Sequence, residues 1–476
     1  MAIRYLLVFI LSLLSTTSAW ASNTLPDHIA GALCVVRADN QIVLVDELIT
    51  GQLSLPGGTV VSGEPPAVAA QRETWEEAGL SVTVGDVLGY TDSAVVFDCI
   101  SDSEVISYKA RNELGGFELP IWFAPHYGVE VSRAMLLPPT ELQDHQYRYP
   151  EQWSEINELF LSATDQPVTY VTELVGAAPQ VHQVELNWIV SLQNVFDKMP
   201  SLFANTVLLT DSLAKPWVFI VILPLIAWHF GRNFALKFGF TLISVTLLTL
   251  IAHQGFGFPR PHAYLPTLKL VMSSGYSFPS LLAGLWVSLT LLVFWKLKRL
   301  LEQKSILIVL TGLLWIMLFK SYSGSAFFSD VIMGGVLGAL TTWHIVRLDA
   351  KPDVDISALL SSKGVWWALC LLSIVLTVIW PLPTFSFWVA ILMTIACLVT
   401  LTDSKPLVGH FSFKIVFGVM AMLLAGNLLI SWAGSFVSFS GIASFIVETL
   451  RFPILILFGV VAFRLPWKRE LANRRT

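Results

Sequence analysis

Residues 57–80 read GGTVVSGEPPAVAAQRETWEEAGL, and the second half of that stretch has the marks of a short helix. Two prolines, Pro65 and Pro66, stand where its first turn would be, alanines fill its interior, and Gly79 follows as a stop. The pattern predicts a helix over 65–78. Glu73, Glu76 and Glu77 then fall at i, i+3 and i+4 and share one face. Three like charges that close repel one another. A divalent cation removes the penalty, and carboxylate oxygens are hard ligands suited to Mg²⁺ or Mn²⁺. For an isolated E-x-x-E-E, a solvated acidic helix face is the alternative.

The flanking sequence reads as alternating strands and turns. Ala32–Val36 and Gln41–Asp46 are short β-branched runs around a polar turn, which predicts a hairpin. Leu53-Ser-Leu-Pro leads into Gly57-Gly58, and further strands are expected at 81–90, 94–100 and 118–123. This is an α/β assembly of one domain, spanning residues 22–150.

With these surroundings the stretch is identified as a Nudix box, G-x(5)-E-x(7)-R-E-U-x-E-E-x-G-U. Gly58, Glu64, Arg72, Glu73, Glu76, Glu77, Gly79 and Leu80 stand at its fixed positions, and the preceding Leu55-Pro56-Gly57 strengthens the match. Thr74 replaces the usual bulky aliphatic, at a packing position. The resemblance implies a mixed β-sheet between helices and Mg²⁺- or Mn²⁺-dependent hydrolysis of a diphosphate joined to another moiety. It implies metal ligation by Glu76, Glu77 and the Gly57 carbonyl, with Glu73 as a ligand or as the base for the attacking water. Arg72 would orient Glu73, and Glu64 would support the metal shell. Glu113 and Glu118 are candidates for one further acid from a later loop.

The remainder of the chain is of another kind. Of 476 residues 54% are hydrophobic and only 13% charged, and the mean hydropathy is +0.67. An ordinary soluble domain is about 45–50% apolar and about 25% charged. The excess lies after about residue 213, so a soluble domain is joined to a polytopic membrane domain. The net charge of −5 offers no basic face for nucleic acid. Residues 1–21 read as a signal peptide, with Arg4, an apolar core over Tyr5–Leu14 and Ala19-Trp20-Ala21 as the cleavage site; an uncleaved anchor is the alternative. Export permits a Cys34–Cys99 disulfide, although two buried free thiols are the preferred reading of these cysteines.

Residues 140–185, polar and punctuated by Pro139, Pro150 and Pro167, suggest a loosely structured connector, assigned as a linker over 151–185. Glu185–Val195 resembles an interfacial amphipathic helix. Nine apolar stretches follow, near 213–230, 234–252, 280–296, 305–320, 329–346, 363–380, 384–401, 413–433 and 451–466. Glu448 and Arg451 break the apolar run before the last, so 438–450 reads as a re-entrant or surface helix. Arg232, Lys237, Lys296, Lys298, Arg299, Lys304, Arg347, Lys351, Lys363, Lys405, Lys414, Lys468, Arg469, Arg474 and Arg475 fall at alternate loops. The positive-inside rule makes those loops cytoplasmic. The expected arrangement is a multi-pass inner-membrane protein with an outward, periplasmic Nudix domain and a cytoplasmic C-terminus.

A second resemblance lies within 186–350. His253-QGFGFP-Arg260-Pro261, Ser277-Phe-Pro279-Ser280-Leu281-Leu282 and Lys320-SYSGS-Ala326-FFS-Asp330 resemble the three motifs of the type 2 phosphatidic acid phosphatase superfamily, K-x(6)-R-P, P-S-G-H and S-R-x(5)-H-x(3)-D. The resemblance implies an all-α membrane fold. It also exposes losses: Leu282 stands where that family has a proton-donating histidine and Ala326 where it has the nucleophilic one. His262 is wrongly placed to substitute. Arg260, Ser280, Lys320, His253 and Asp330 remain as a candidate phosphate-binding set, the alternative being that they only preserve loop packing. Residues 351–476 supply additional spans that resemble nothing recognised.

Three functions are compatible with this reading. The leading one is an exported, membrane-anchored Nudix diphosphatase whose phosphatase-like domain is an inactive anchor among membrane lipids. The others are a lipid or undecaprenyl-diphosphate phosphatase working through altered residues, and a non-catalytic protein that binds diphosphates and lipid.

Overall fold

The computed structural model describes residues 29–215, 217–401 and 413–473, so the expected signal peptide lies outside the described residues. Twelve strands and two helices form the N-terminal part. Along the chain these are β1 (Gly31–Val35), β2 (Arg37–Ala38), β3 (Gln41–Glu47), β4 (Leu53–Ser54), β5 (Gly57–Thr59), α1 (Pro66–Ala78), β6 (Val82–Tyr90), β7 (Ala94–Ser101), β8 (Val105–Tyr108), β9 (Phe117–Glu118), β10 (Val131–Leu137), α2 (Trp153–Ser162), β11 (Asp165–Gln166) and β12 (Val168–Val171). One sheet runs β5-β1-β7-β6, with β1 and β7 parallel and the other pairs antiparallel. A second runs β11-β2-β3-β10-β9. The hairpin expected between Ala32–Val36 and Gln41–Asp46 forms only at its tip, where β2 pairs with β3 across Asp39 and Asn40 in left-handed conformations, which these residue types tolerate; residues 31–35 form β1, which pairs with β5 and β7 in the other sheet.

Two apolar clusters hold the sheets together. One gathers Val43, Val45, Val95 and Leu136 with Ala69, Ala70 and Ala78 of α1. The other gathers Ile42, Leu44, Val96 and Met135 with Trp153, Ile156 and Phe160 of α2. The second cluster overturns the loosely structured connector. Helix α2 packs its apolar stripe on the domain, β11 pairs with β2, and β12 pairs with β8. A stripe at 153, 156 and 160 is a helix signal that the flanking prolines obscure. The strand expected over 118–123 shrinks to Phe117–Glu118, and the buried strand β10 was not anticipated. Cys34 and Cys99, on the adjacent strands β1 and β7, are joined in a disulfide with Cα atoms 5.5 Å apart. The preference for free thiols fails because strand pairing, invisible in the sequence, supplies that distance.

Helix α3 (Gln180–Phe196) leads into the membrane part. It buries Leu186 and Ile189 against Tyr264, Leu268 and Phe327, and Glu185 accepts from the Ser329 N–H at 3.3 Å. The apolar helices are α4 (Trp217–Phe230), α5 (Arg232–Phe256), α6 (Leu281–Lys296), α7 (Gln303–Tyr322), α8 (Phe328–Asp349), α9 (Lys363–Ile379), α10 (Pro383–Leu401), α11 (Phe413–Ser435) and α12 (Gly441–Asn473). Six of them are long and apolar enough to cross a membrane; α4, α6 and α9 fall short of that length. No break separates 438–450 from 451–466. Glu448 and Arg451 lie within α12 as an ion pair at 2.5 Å, and Arg451 also donates to Ser431 Oγ at 2.9 Å, so satisfied polar groups let the helix continue.

Helices α6 and α8 approach backbone to backbone. A Cβ on Gly334 would lie 2.2 Å from the Ser280 carbonyl oxygen, and one on Gly338 2.2 Å from that of Gly284. Small residues permit such contact between apolar helices, and it fixes Ser280 beside Asp330.

The two parts are joined by extensive contact. Glu118 pairs with Lys269 at 3.1 Å, the Tyr108 hydroxyl donates to the Ala263 carbonyl at 2.5 Å, and the Leu174 N–H donates to the Tyr264 carbonyl at 2.9 Å. Arg148 donates to the Phe439 carbonyl at 3.1 Å. These partners lie in the α5–α6 and α11–α12 connections, at one end of the helices. Trp153→Ala should destabilise the N-terminal domain by about 3–5 kcal/mol, read as an earlier first transition in thermal unfolding of the full chain. An unchanged transition would mean that α2 is not part of that domain.

Candidate active site and a second, altered site

Helix α1 begins at Pro66 and ends at Gly79, which adopts a left-handed conformation and donates to the Trp75 carbonyl. It buries Ala69, Ala70, Glu73, Thr74, Glu77 and Ala78. Thr74 is accommodated because its hydroxyl donates to the Ala70 carbonyl at 2.7 Å, which satisfies the polar group inside the core. This answers the one departure in the motif.

Arg72 is the hub of the charged set. Its Nε and Nη2 donate to the two oxygens of Glu64 at 3.0 and 3.1 Å, while Nη1 reaches Glu73 at 2.8 Å and Glu76 at 2.9 Å. Glu64 also accepts from the Val61 N–H at 3.1 Å, tying the loop before the helix to the same guanidinium. The hydrogen bond from Arg72 holds the Glu64 carboxyl below the usual carboxylate range and, chiefly from Glu64, Arg72 is raised in return. Burial pushes Glu73 up, and pushes Glu77 up further. Glu77 accepts from the Gly57 N–H at 2.9 Å, which fixes β5 against α1. Gly58 leaves room for the carboxylate: a Cβ there would sit 2.4 Å from a Glu73 carboxylate oxygen, so that side chain would have to shift.

The structure thus brings together Glu64, Arg72, Glu73 and Glu76, with Glu77 holding Gly57 beside them. The two later acids go elsewhere. Glu113 and Glu118 both bind Arg133, at 2.6 and 3.4 Å. Their place near the carboxylates is taken by His126, whose Nε2 lies 3.9 Å from Glu76. One donor atom each from Glu73, Glu76 and His126 fall within 4.8 Å of one another, a group able to hold a metal ion. No sequence spacing announces His126, because its position depends on a backbone bond from its N–H to the Glu76 carbonyl.

Residues 27–158 match the family model of the NUDIX domain, and residues 234–352 match that of the PAP2 superfamily. The chain carries a Nudix domain and a PAP2-superfamily domain. A MutT-like protein of Streptomyces ambofaciens is 35% identical over 95 residues, which cover 17% of this chain. The matched segment spans 62% of that relative's length. The Nudix match runs past Pro150 into α2, in keeping with the packing of that helix.

In the PAP2-superfamily domain the five candidate residues divide. His253 and Arg260 line a cavity of about 100 Å³ together with Gly128, Val129, Tyr276 and Phe385. Ser280, Lys320 and Asp330 do not line it. Arg260 donates to the carbonyls of Ser274 and Ser325, at 2.8 and 2.6 Å, and His253 contacts that of Pro279 at 3.0 Å. Lys320 lies over the Phe319 ring, 5.3 Å from its centroid. Among the described residues neither Arg260 nor Lys320 has a carboxylate partner. Leu282 and Ala326 share an apolar cluster with Phe196, Val207 and Phe319. Asp330 is fully buried; its Oδ2 accepts from the Phe327 N–H at 2.9 Å, but Oδ1 has no hydrogen-bond partner. His262 Nδ1 donates to the Gly324 carbonyl at 3.1 Å, and the residue is absent from the cavity lining.

Gly58→Ala should displace the Glu73 carboxylate and lower Mn²⁺ affinity at least about tenfold, as losses around metal ligands do. Titration with Mn²⁺ followed by electron paramagnetic resonance measures it, and wild-type affinity in this variant would show that Glu73 is not held where the backbone of Gly58 places it.

Proposed function

We propose that this chain is an exported, membrane-anchored Nudix diphosphatase that hydrolyses a diphosphate joined to another moiety. The observation that carries the reading is the single network of Arg72 with Glu64, Glu73 and Glu76, which prearranges acidic groups otherwise forced apart by repulsion. The donor set is carboxylate-rich, which suits Mg²⁺ or Mn²⁺. Glu73, Glu76 and Glu77 would hold the ion, with the Gly57 carbonyl as a further ligand. When bound, it neutralises charge on the phosphate oxygens and lowers the pKa of an attacking water.

The chain's own groups supply orientation. Arg72 fixes Glu73 and Glu76 in one plane of donors, and Glu64 keeps the preceding loop from opening. Glu73 would serve as a ligand or as the base that takes the proton of the attacking water. Water attacks one phosphorus, the anhydride P–O bond breaks, and two phosphorylated products leave with the released proton.

The PAP2-superfamily domain serves in this reading as an anchor without phosphatase activity. A leucine at 282 cannot donate a proton and an alanine at 326 cannot attack phosphorus. Arg260 and His253, which line one cavity, would hold a lipid phosphate there, since cations in an apolar setting favour an anionic partner; Ser280, Lys320 and Asp330 stand outside that lining. The Cys34–Cys99 disulfide supports an oxidising compartment. The basic loops support a cytoplasmic C-terminus and a periplasmic Nudix domain at the inner membrane. A membrane-bound diphosphate, such as a polyprenyl diphosphate or a nucleotide-linked lipid, suits that location.

Two measurements test the proposal. A phosphate-release screen over nucleotide and lipid diphosphates should give a Mg²⁺- or Mn²⁺-dependent substrate, and Glu76→Gln should lower the rate more than about 100-fold; a fully active variant sinks the assignment. Asp92→Cys, on an exposed turn, should react with a membrane-impermeant maleimide once the outer membrane is opened. Labelling only after inner-membrane lysis reverses the orientation.

A further inference from the structure

His126 stands beside the carboxylates of α1 in a geometry that an ordinary hydrogen bond does not explain. Its Nε2 is 3.9 Å from Glu76 Oε2 and its Nδ1 3.6 Å from Glu130 Oε2. Both separations exceed the roughly 2.7–3.2 Å of a nitrogen–oxygen hydrogen bond. Nδ1 is buried and has no hydrogen-bond partner. Two ligands each about 2.1 Å from one ion stand about 3.0 Å apart when adjacent and about 4.2 Å apart when opposite. The gap between His126 and Glu76 is therefore of the size that an ion spans.

The ring is also held in place from its backbone. The His126 N–H donates to the Glu76 carbonyl at 2.8 Å, and the His126 carbonyl accepts from the N–H groups of Val129, Glu130 and Val131, each at 3.1 Å. The bond to Glu76 ties the turn to α1, and the other three hold the turn's own shape. On its far side Gly128 meets the membrane domain: a Cβ on Gly128 would lie 2.3 Å from the Cα of Gly275. A surface histidine with no task needs neither restraint.

We propose that His126 supplies a nitrogen ligand to the Nudix metal centre, joining Glu73 and Glu76, and that Glu130 is the outer partner of its Nδ1. The inference rests on the Nudix reading given above. An imidazole among carboxylates shifts preference from Mg²⁺ towards first-row transition ions, so the centre favours Mn²⁺ over Mg²⁺. A carboxylate behind a ligating imidazole fixes its tautomer and raises its basicity, and Glu130 is placed for that role once the side chains close by a few tenths of an ångström.

The test uses the full chain in detergent micelles with Mn²⁺ as the probe. Electron spin echo envelope modulation of the bound ion should show the ¹⁴N pattern of an imidazole in the wild type. His126→Gln should remove that pattern and weaken Mn²⁺ binding about 10- to 100-fold, with thermal unfolding unchanged and with a smaller loss for Mg²⁺. Bound Mn²⁺ without ¹⁴N modulation in the wild type, or modulation that persists in His126→Gln, overturns the inference while leaving the Nudix reading intact. The wild-type spectrum decides the matter even if the variant fails to fold. Absence of any bound Mn²⁺ that Glu76→Gln abolishes overturns both.

Discussion

The guanidinium of Arg72 is the interaction on which the N-terminal domain turns. Without a cation, Glu64, Glu73 and Glu76 have no reason to stay together, and burial raises the cost of keeping Glu73 ionised. A planar fork with several donors can serve three carboxylates at once, which a lysine ammonium cannot do with the same directionality. One end of the fork reaches back to the loop before α1 and the other reaches along its face. The local fold and the chemistry therefore share one set of hydrogen bonds. Gly58 and the Glu77–Gly57 bond complete this arrangement by letting β5 lie directly against the charged face.

Much of this was legible in the residues. The helix was bounded by its prolines and Gly79, and the carboxylate face followed from spacing alone. Local chemistry of that kind is written in consecutive residues. The failures came where distant segments meet. Helix α2 and strands β11 and β12 were read as connector because polar residues and prolines dominate that stretch, while three apolar positions decide where it packs. The disulfide depends on β1 lying beside β7. His126 depends on a turn whose register is set by a bond to the helix backbone. Glu113 and Glu118 had the right chemistry for the site and the wrong neighbours, since Arg133 holds both.

The membrane domain shows the reverse case. Its helices follow from apolar length, and the altered motif positions were visible directly, whereas the close contact of α6 with α8 through Gly334 and Gly338 was not read from the sequence. Asp330 keeps its place, its Oδ2 accepting from the Phe327 N–H at the start of α8. Arg260 likewise remains useful to the fold by binding two backbone carbonyls. Both side chains thus serve the packing of the loops around them.

The joint between the two domains has a further consequence. A catalytic module on a flexible tether samples a volume, and its encounters with a membrane depend on tether length and effective concentration. Here no such tether exists between Ala163 and Phe196: β11 and β12 are stitched into the N-terminal sheets, and α3 is packed on the membrane helices. The N-terminal site is consequently held at one height and one tilt relative to the helix ends. Reach is traded for aim, and the molecules it can meet are selected by where they stand along the normal of the bilayer as well as by their shape.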